Sequence, residues 1–80
     1  MSAKELFEIL GYHPIDHYQK WSTFVCGYES NELMLHYPRF VVFCDGGTEG
    51  VVFFEHGEYA TADLTKAVYE QMKELRWVDG

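Results

Sequence analysis

Residues 39 to 54 read Arg-Phe-Val-Val-Phe-Cys-Asp-Gly-Gly-Thr-Glu-Gly-Val-Val-Phe-Phe, and this stretch decides the fold. Two runs of β-branched and aromatic residues flank a loop, 45 to 50, whose three glycines can adopt positive φ, which predicts a β-hairpin. Each predicted strand is apolar on both faces, because its side chains alternate sides without a polar residue between them. We therefore expect a sheet with more apolar surface than its neighbours can cover.

The segments before this hairpin predict further strands. Residues 21 to 28 are rich in aromatic and β-branched residues and predict a first strand, followed by a turn at 29 to 32. Residues 33 to 37 predict a returning strand, which Pro38 interrupts because proline has no backbone donor for a ladder. Residues 11 to 20 form a connecting segment in which Pro14 fits the first turn of a helix, and 58 to 60 follow a turn at Gly57.

A helix is predicted at each end of the chain. Ser2 and Glu5 have the spacing of a capping box, and Gly11 is suited to end the short helix that follows. Thr61 is the predicted N-cap of the second helix, with Asp63 in its first turn. The buried stripe of that helix is predicted to contain Leu64, Val68, Met72 and Leu75.

Together these elements predict an α+β fold, with an antiparallel sheet of three to four strands and both helices packed on one face, in one domain spanning residues 1–80. A chain of this length buries little more than about 60% of its extended surface, so its stability margin is small. Association would hide the apolar surface that remains. The expected partner is a second copy, giving a homodimer.

The net charge of −7 is concentrated in the middle of the chain. Residues 21 to 65 contain one basic residue, Arg39, against seven acidic ones, and so carry −6 of this charge. Such a surface repels phosphate backbones, and no basic patch is present, so we expect no direct binding of nucleic acid. It would instead favour a basic protein partner.

The predicted interaction site is an acidic rim with aromatic residues. The turns near 29 to 32 and near 55 to 58 should lie at the same end of an up-and-down sheet, beside Asp63. Acidic residues in turns are often only solvated, which is the simpler interpretation. The predicted site residues are Tyr28, Glu29, Glu32, Glu55, Glu58 and Tyr59.

Catalytic and metal-binding patterns are weak or missing. No serine-nucleophile motif or phosphate-binding loop is present, so we expect no enzyme, no catalytic residue and no cofactor. Four histidines accompany Cys26 and Cys44, but only His13 and His17 are closely spaced, which makes a metal site improbable on sequence grounds. The two cysteines are expected to be buried thiols, or a disulfide if their strands are neighbours.

The N-terminus has no apolar run of the length that a secretory signal requires, and no segment is long enough to cross a bilayer. We therefore expect a cytoplasmic protein with no membrane contact.

Residues 3 to 12, and the closing segment from Thr61 to Trp77, resemble small uncharacterised proteins of phages and prophages of Gram-positive bacteria. Those proteins look like a helix, a few strands and a longer helix that ends in Leu-Gly-Trp, where this chain has Leu75-Arg76-Trp77. The resemblance covers about 25 residues at the two ends and implies an accessory protein that acts inside a host cell.

Three functional hypotheses result. The first is a non-enzymatic accessory protein that acts through protein–protein interaction and self-associates, by the second apolar face of its sheet or by an edge strand. The second is an acidic inhibitor that mimics nucleic acid and occupies the basic cleft of a nucleic-acid enzyme. The third is a small protein with a metal or thiol site.

Overall fold

The computed structural model describes residues 1–31, 38–56 and 60–79. Its elements are α1 (Ala3–Ile9), β1 (His13–Ile15), β2 (Phe24–Ser30), β3 (Arg39–Asp45), β4 (Gly50–Glu55) and α2 (Ala62–Glu74). The described strands form one antiparallel sheet in the order β1-β2-β3-β4, in which each strand pairs with its neighbour in sequence. The predicted α+β class, with up to four antiparallel strands, is confirmed.

Both helices pack on one face of the sheet, which we call the helical face. The rings of Phe7 in α1 and Tyr28 in β2 stack with their centroids 3.9 Å apart, and Phe43 meets Phe7 edge-on at 6.4 Å. The helices also contact each other. The buried core on this side contains Phe7, Tyr12, Tyr28, Val41, Phe43, Leu64, Ala67 and Val68.

The short helix α1 depends on hydrogen bonds at its start. The predicted capping box is present, because the Ser2 hydroxyl accepts from the Glu5 amide and the Glu5 carboxylate accepts from the Ser2 amide. The carboxylate of Glu74, near the end of α2, accepts from the Ala3 amide at 2.7 Å. A helix of seven residues is unstable alone in water, so these caps and its docking hold it in place.

Both helices end in the same left-handed turn. The amides of Gly11 and Tyr12 donate back to carbonyls of α1, and those of Arg76 and Trp77 donate back to α2 in the same pattern, which is a Schellman motif. Gly11 has φ 87° and Arg76 has φ 62°. Glycine adopts this conformation freely, whereas the Cβ of Arg76 clashes with its own backbone there.

Replacing Arg76 with glycine should therefore stabilise the protein by about 1 kcal/mol, because it removes the left-handed strain and keeps the two capping hydrogen bonds. Urea unfolding followed by circular dichroism measures the change. Arg76→Ala is the matched control, since it removes the same charge but retains a Cβ. A gain of equal size in both variants would show that charge, not backbone strain, is responsible.

The opposite face of the sheet is covered by the connection between β1 and β2. This segment, residues 16–23, is called the strap, and the sheet surface below it the strap face. The Tyr18 ring lies 5.3 Å from that of Phe40, and Trp21 lies 5.2 Å from Phe53. Beneath them Val42 and Cys44 are buried. The expectation of an uncovered second face is therefore wrong, because the chain folds its own connection over it.

A β-bulge on β2 makes this cover possible. The pairing with β3 shifts between Phe24 and Cys26, and the extra residue, Val25, is exposed. Because of this shift, Phe24 joins the strap side while Cys26 faces the helices, although both positions would share a face in a regular strand. The Phe24 ring then lies against Gly27, where a Cβ would meet it at 3.1 Å.

Two sequence predictions about the strands need correction. Pro14 does not begin a helical turn but lies in the edge strand β1, a position in a sheet where proline is tolerated. The first predicted strand begins three residues later than expected, at Phe24, because Trp21 belongs to the strap. The predicted strand at 33 to 37, the turn at Gly57 and the start of the segment 58 to 60 lie outside the described residues.

Candidate functional site

One row of side chains runs across the sheet at the end predicted to be the acidic rim. In the strand register, His13 is paired with Glu29, Glu29 with Phe40, and Phe40 with Glu55. Directly paired residues share a face, so this row lies on the strap face. Two strand spacings separate Glu29 from Glu55, which places their backbones roughly 10 Å apart. Glu29 and Glu55 therefore lie at the same end of the sheet. Glu29 and Ser30 belong to β2 and not to the turn predicted at 29 to 32, and residues 32, 57 and 58 of the two predicted turns lie outside the described residues.

Glu55 has a cation from its own chain. Lys20, in the strap, forms an ion pair with Glu55 Oε1, and the imidazole Nε2 of His56 lies 3.2 Å from the same oxygen. The Glu55 side chain is 10% exposed, and its second oxygen is buried with no hydrogen-bond partner among the described residues. The strap is therefore tied to β4 by one ion pair.

Glu29 lies in a different environment. Its side chain is half-buried, and within the described part of the chain it has neither an ion pair nor a hydrogen bond. It lines a cavity of about 350 Å³ together with Gly11, His13, Asn31 and Pro38.

Tyr28 does not belong to the rim. Its ring is buried on the helical face, and its hydroxyl donates to the side-chain oxygen of Gln71 in α2. Burial, with a smaller contribution from nearby acidic groups, raises the pKa of Tyr28 to about 12. Of the other predicted site residues, Glu32, Glu58 and Tyr59 lie outside the described residues.

Tyr18 and Tyr28, two of the buried tyrosines, should respond differently to loss of their hydroxyls. Tyr28→Phe leaves Gln71 unsatisfied in the core and should cost about 1–2 kcal/mol of stability. Tyr18→Phe should be neutral or stabilising, because the Tyr18 hydroxyl is buried without a partner among the described residues. Urea unfolding of both variants is the measurement, and equal destabilisation would contradict the assignment.

Loss of the strap ion pair should also be measurable. Lys20→Met leaves the Glu55 carboxylate largely buried without its lysine partner, so we expect a loss of about 1 kcal/mol at neutral pH. Lys66→Met is the control, since Lys66 is exposed and forms no ion pair within the described ranges. In a Glu55→Gln background, Lys20→Met should cost nothing; an unchanged cost would show that the lysine acts through packing.

The thiols lie on opposite sides of the sheet. Cys26 faces the helices, Cys44 lies under the strap, and both are free. Burial raises the pKa of Cys26 to about 11 and also raises that of Cys44. Thiolates are the reactive form, so these positions are poor for thiol chemistry.

Metal ligands do not gather in the part of the chain that the structure describes. No group of three or more His, Cys, Asp or Glu side chains there could hold a metal ion. His13 and His17 are four residues apart, but they do not share a helix face because His13 and Pro14 are in the strand β1. His36 lies outside the described residues.

The edge strand β4 presents apolar side chains to solvent. Its sequence from 50 to 55 contains no Lys, Arg or Pro, and it is the last strand of the sheet. Val51 on the strap face is 36% exposed, and Phe54 on the helical face is 38% exposed. The run Val51 to Phe54 was predicted as strand, but its edge position depends on the order of all the strands.

Comparisons with protein-family models, curated proteins and solved structures gave no match. Neither described helix is long and apolar enough to cross a membrane.

Proposed function

We propose that this chain is a non-enzymatic interaction protein that forms a homodimer by pairing β4 with β4 of a second copy. The single observation that carries the proposal is the outer edge of this strand, which pairs with no other described strand and is six residues long and apolar on both faces. An edge of this kind is a template for another strand, because alternate backbone amides and carbonyls point outward. The resemblance at the chain ends fits such an accessory role.

The other edge of the sheet is protected. β1 has three residues, and Pro14 at its centre lacks a donor. Its sequence neighbours lead directly into the strap and into α1. Pairing through β4 is therefore favoured over pairing through β1.

Charge and geometry select one register for a symmetric antiparallel pair. A two-fold axis perpendicular to the sheet places one residue opposite its own copy, with Val52 and Phe53 nearest the strand centre. Centring on Val52 would set Glu55 opposite the acidic Glu49, whereas centring on Phe53 sets Glu55 opposite Val51 and Val52 opposite Phe54. Like charges directly opposite are destabilising, so the axis at Phe53 is the better arrangement.

The seam is short. Six residues span about 20 Å, so the area buried is below that of a stable obligate dimer, and we expect a dissociation constant in the micromolar range. Sedimentation equilibrium on the full chain should show a monomer–dimer equilibrium at tens of micromolar. A strictly monomeric species at these concentrations would exclude the proposed dimer.

Val51→Glu should abolish the dimer, because it places a carboxylate opposite Glu55 at both ends of the seam. Val25→Glu is the matched control. This valine is 43% exposed but lies on the interior strand β2, so the dissociation constant of the Val25→Glu dimer should be unchanged. Val51→Lys should weaken association less than Val51→Glu does. Circular dichroism verifies the fold of each variant, and equal weakening by Val51→Glu and Val25→Glu would reject the β4 seam.

A further inference from the structure

The cavity beside Glu29 lies at the far side of the sheet from β4. Its volume of about 350 Å³ is at the lower end of the range for ligand sites, which suits one side chain better than a large cofactor. Gly11, at the end of α1, and Pro38, just before β3, contribute to its walls. Among the described residues, the polar ones that line it are Glu29, His13 and Asn31.

The two carboxylates of the row differ in whether a described cation lies beside them. Glu55 and Glu29 are both paired with Phe40, one on each side of it. Lys20 of the same chain neutralises Glu55, whereas no described residue supplies a cation to Glu29. With the middle of the chain at −6, the cavity attracts positive charge.

We propose that this cavity binds the guanidinium group of an arginine side chain from a protein partner. A planar guanidinium can donate two parallel hydrogen bonds to the Glu29 carboxylate and a third to the Asn31 oxygen. The His13 ring can stack on its flat face. Lysine offers a compact ammonium without this planar geometry, so it matches the same groups less well.

The proposal does not depend on the β4 seam. The cavity residues lie in β1, in β2 and in the segments that adjoin α1, β2 and β3, while β4 is at the opposite edge of the sheet. A monomer would therefore bind arginine as well as a dimer does, and failure of one proposal leaves the other intact.

The test uses N-acetyl-arginine amide as the probe, titrated at low salt into the ¹⁵N-labelled full chain. We expect saturable shifts of the amides of Gly11, His13 and Asn31, with a dissociation constant of about 1 mM, since one partly exposed ion pair contributes little energy. The neutral citrulline analogue should cause no such shifts, and the lysine analogue should bind several-fold more weakly.

Glu29→Gln should weaken arginine binding about tenfold or more, because a charge-assisted hydrogen-bond pair is lost. Glu49→Gln makes the same charge change in the exposed hairpin at the other end of the sheet and should change binding less than twofold. Asn31→Ala, which alters no charge, should weaken binding by a few-fold. Equal effects of the two Gln variants, equal binding of citrulline, or shifts that do not saturate would each overturn the proposal.

Discussion

The strand β3 must be covered on both of its faces, and the rest of the fold follows from that requirement. Val41 and Phe43 point to one side and Val42 and Cys44 to the other, and each is at most 1% exposed. Burial of each large apolar side chain contributes about 1.5–3 kcal/mol, so neither face can be left in water. A chain of 80 residues has to build two covering layers from very little material.

The two layers are built differently. The helical layer satisfies its own backbone and needs only caps, whereas the strap has short turns and relies on aromatic rings for cover. Tyr18 and Trp21 supply that cover from eight residues, and one ion pair to Glu55 ties the strap down. The cost is visible in the Tyr18 hydroxyl and one Glu55 oxygen, both buried without partners among the described residues. Among the described residues, the buried polar atoms without hydrogen-bond partners therefore lie on the strap side of the core.

Local signals in the sequence were sufficient for the helix caps, for the β3–β4 hairpin and for the two apolar faces, since each depends on neighbouring residues. The strap and β1 were not predictable in this way, because Pro14 and the polar connection after it look like a loop until a sheet lies beneath them. The burial of Tyr28 was not predictable either, because its contacts with Phe7 and Gln71 join distant parts of the chain. At the site, the position of Glu29 and Glu55 at one end of the sheet follows from an up-and-down strand order, but the Lys20–Glu55 pair spans 35 residues and has no sequence signal.

An unguarded apolar edge usually invites open-ended aggregation, yet this sheet limits it. In the proposed dimer, pairing of β4 with β4 would use the exposed edge of both copies, and the outer edges of the described sheet would then be two copies of β1, short and interrupted by Pro14. A further copy would find no comparable edge among the described strands, so the proposed assembly would close at two. The acidic middle of the chain adds repulsion between copies at long range, which slows encounters but leaves the short-range contacts of a correctly registered seam intact. Under the proposed pairing, the fold would therefore keep one edge open for association without forming a fibre.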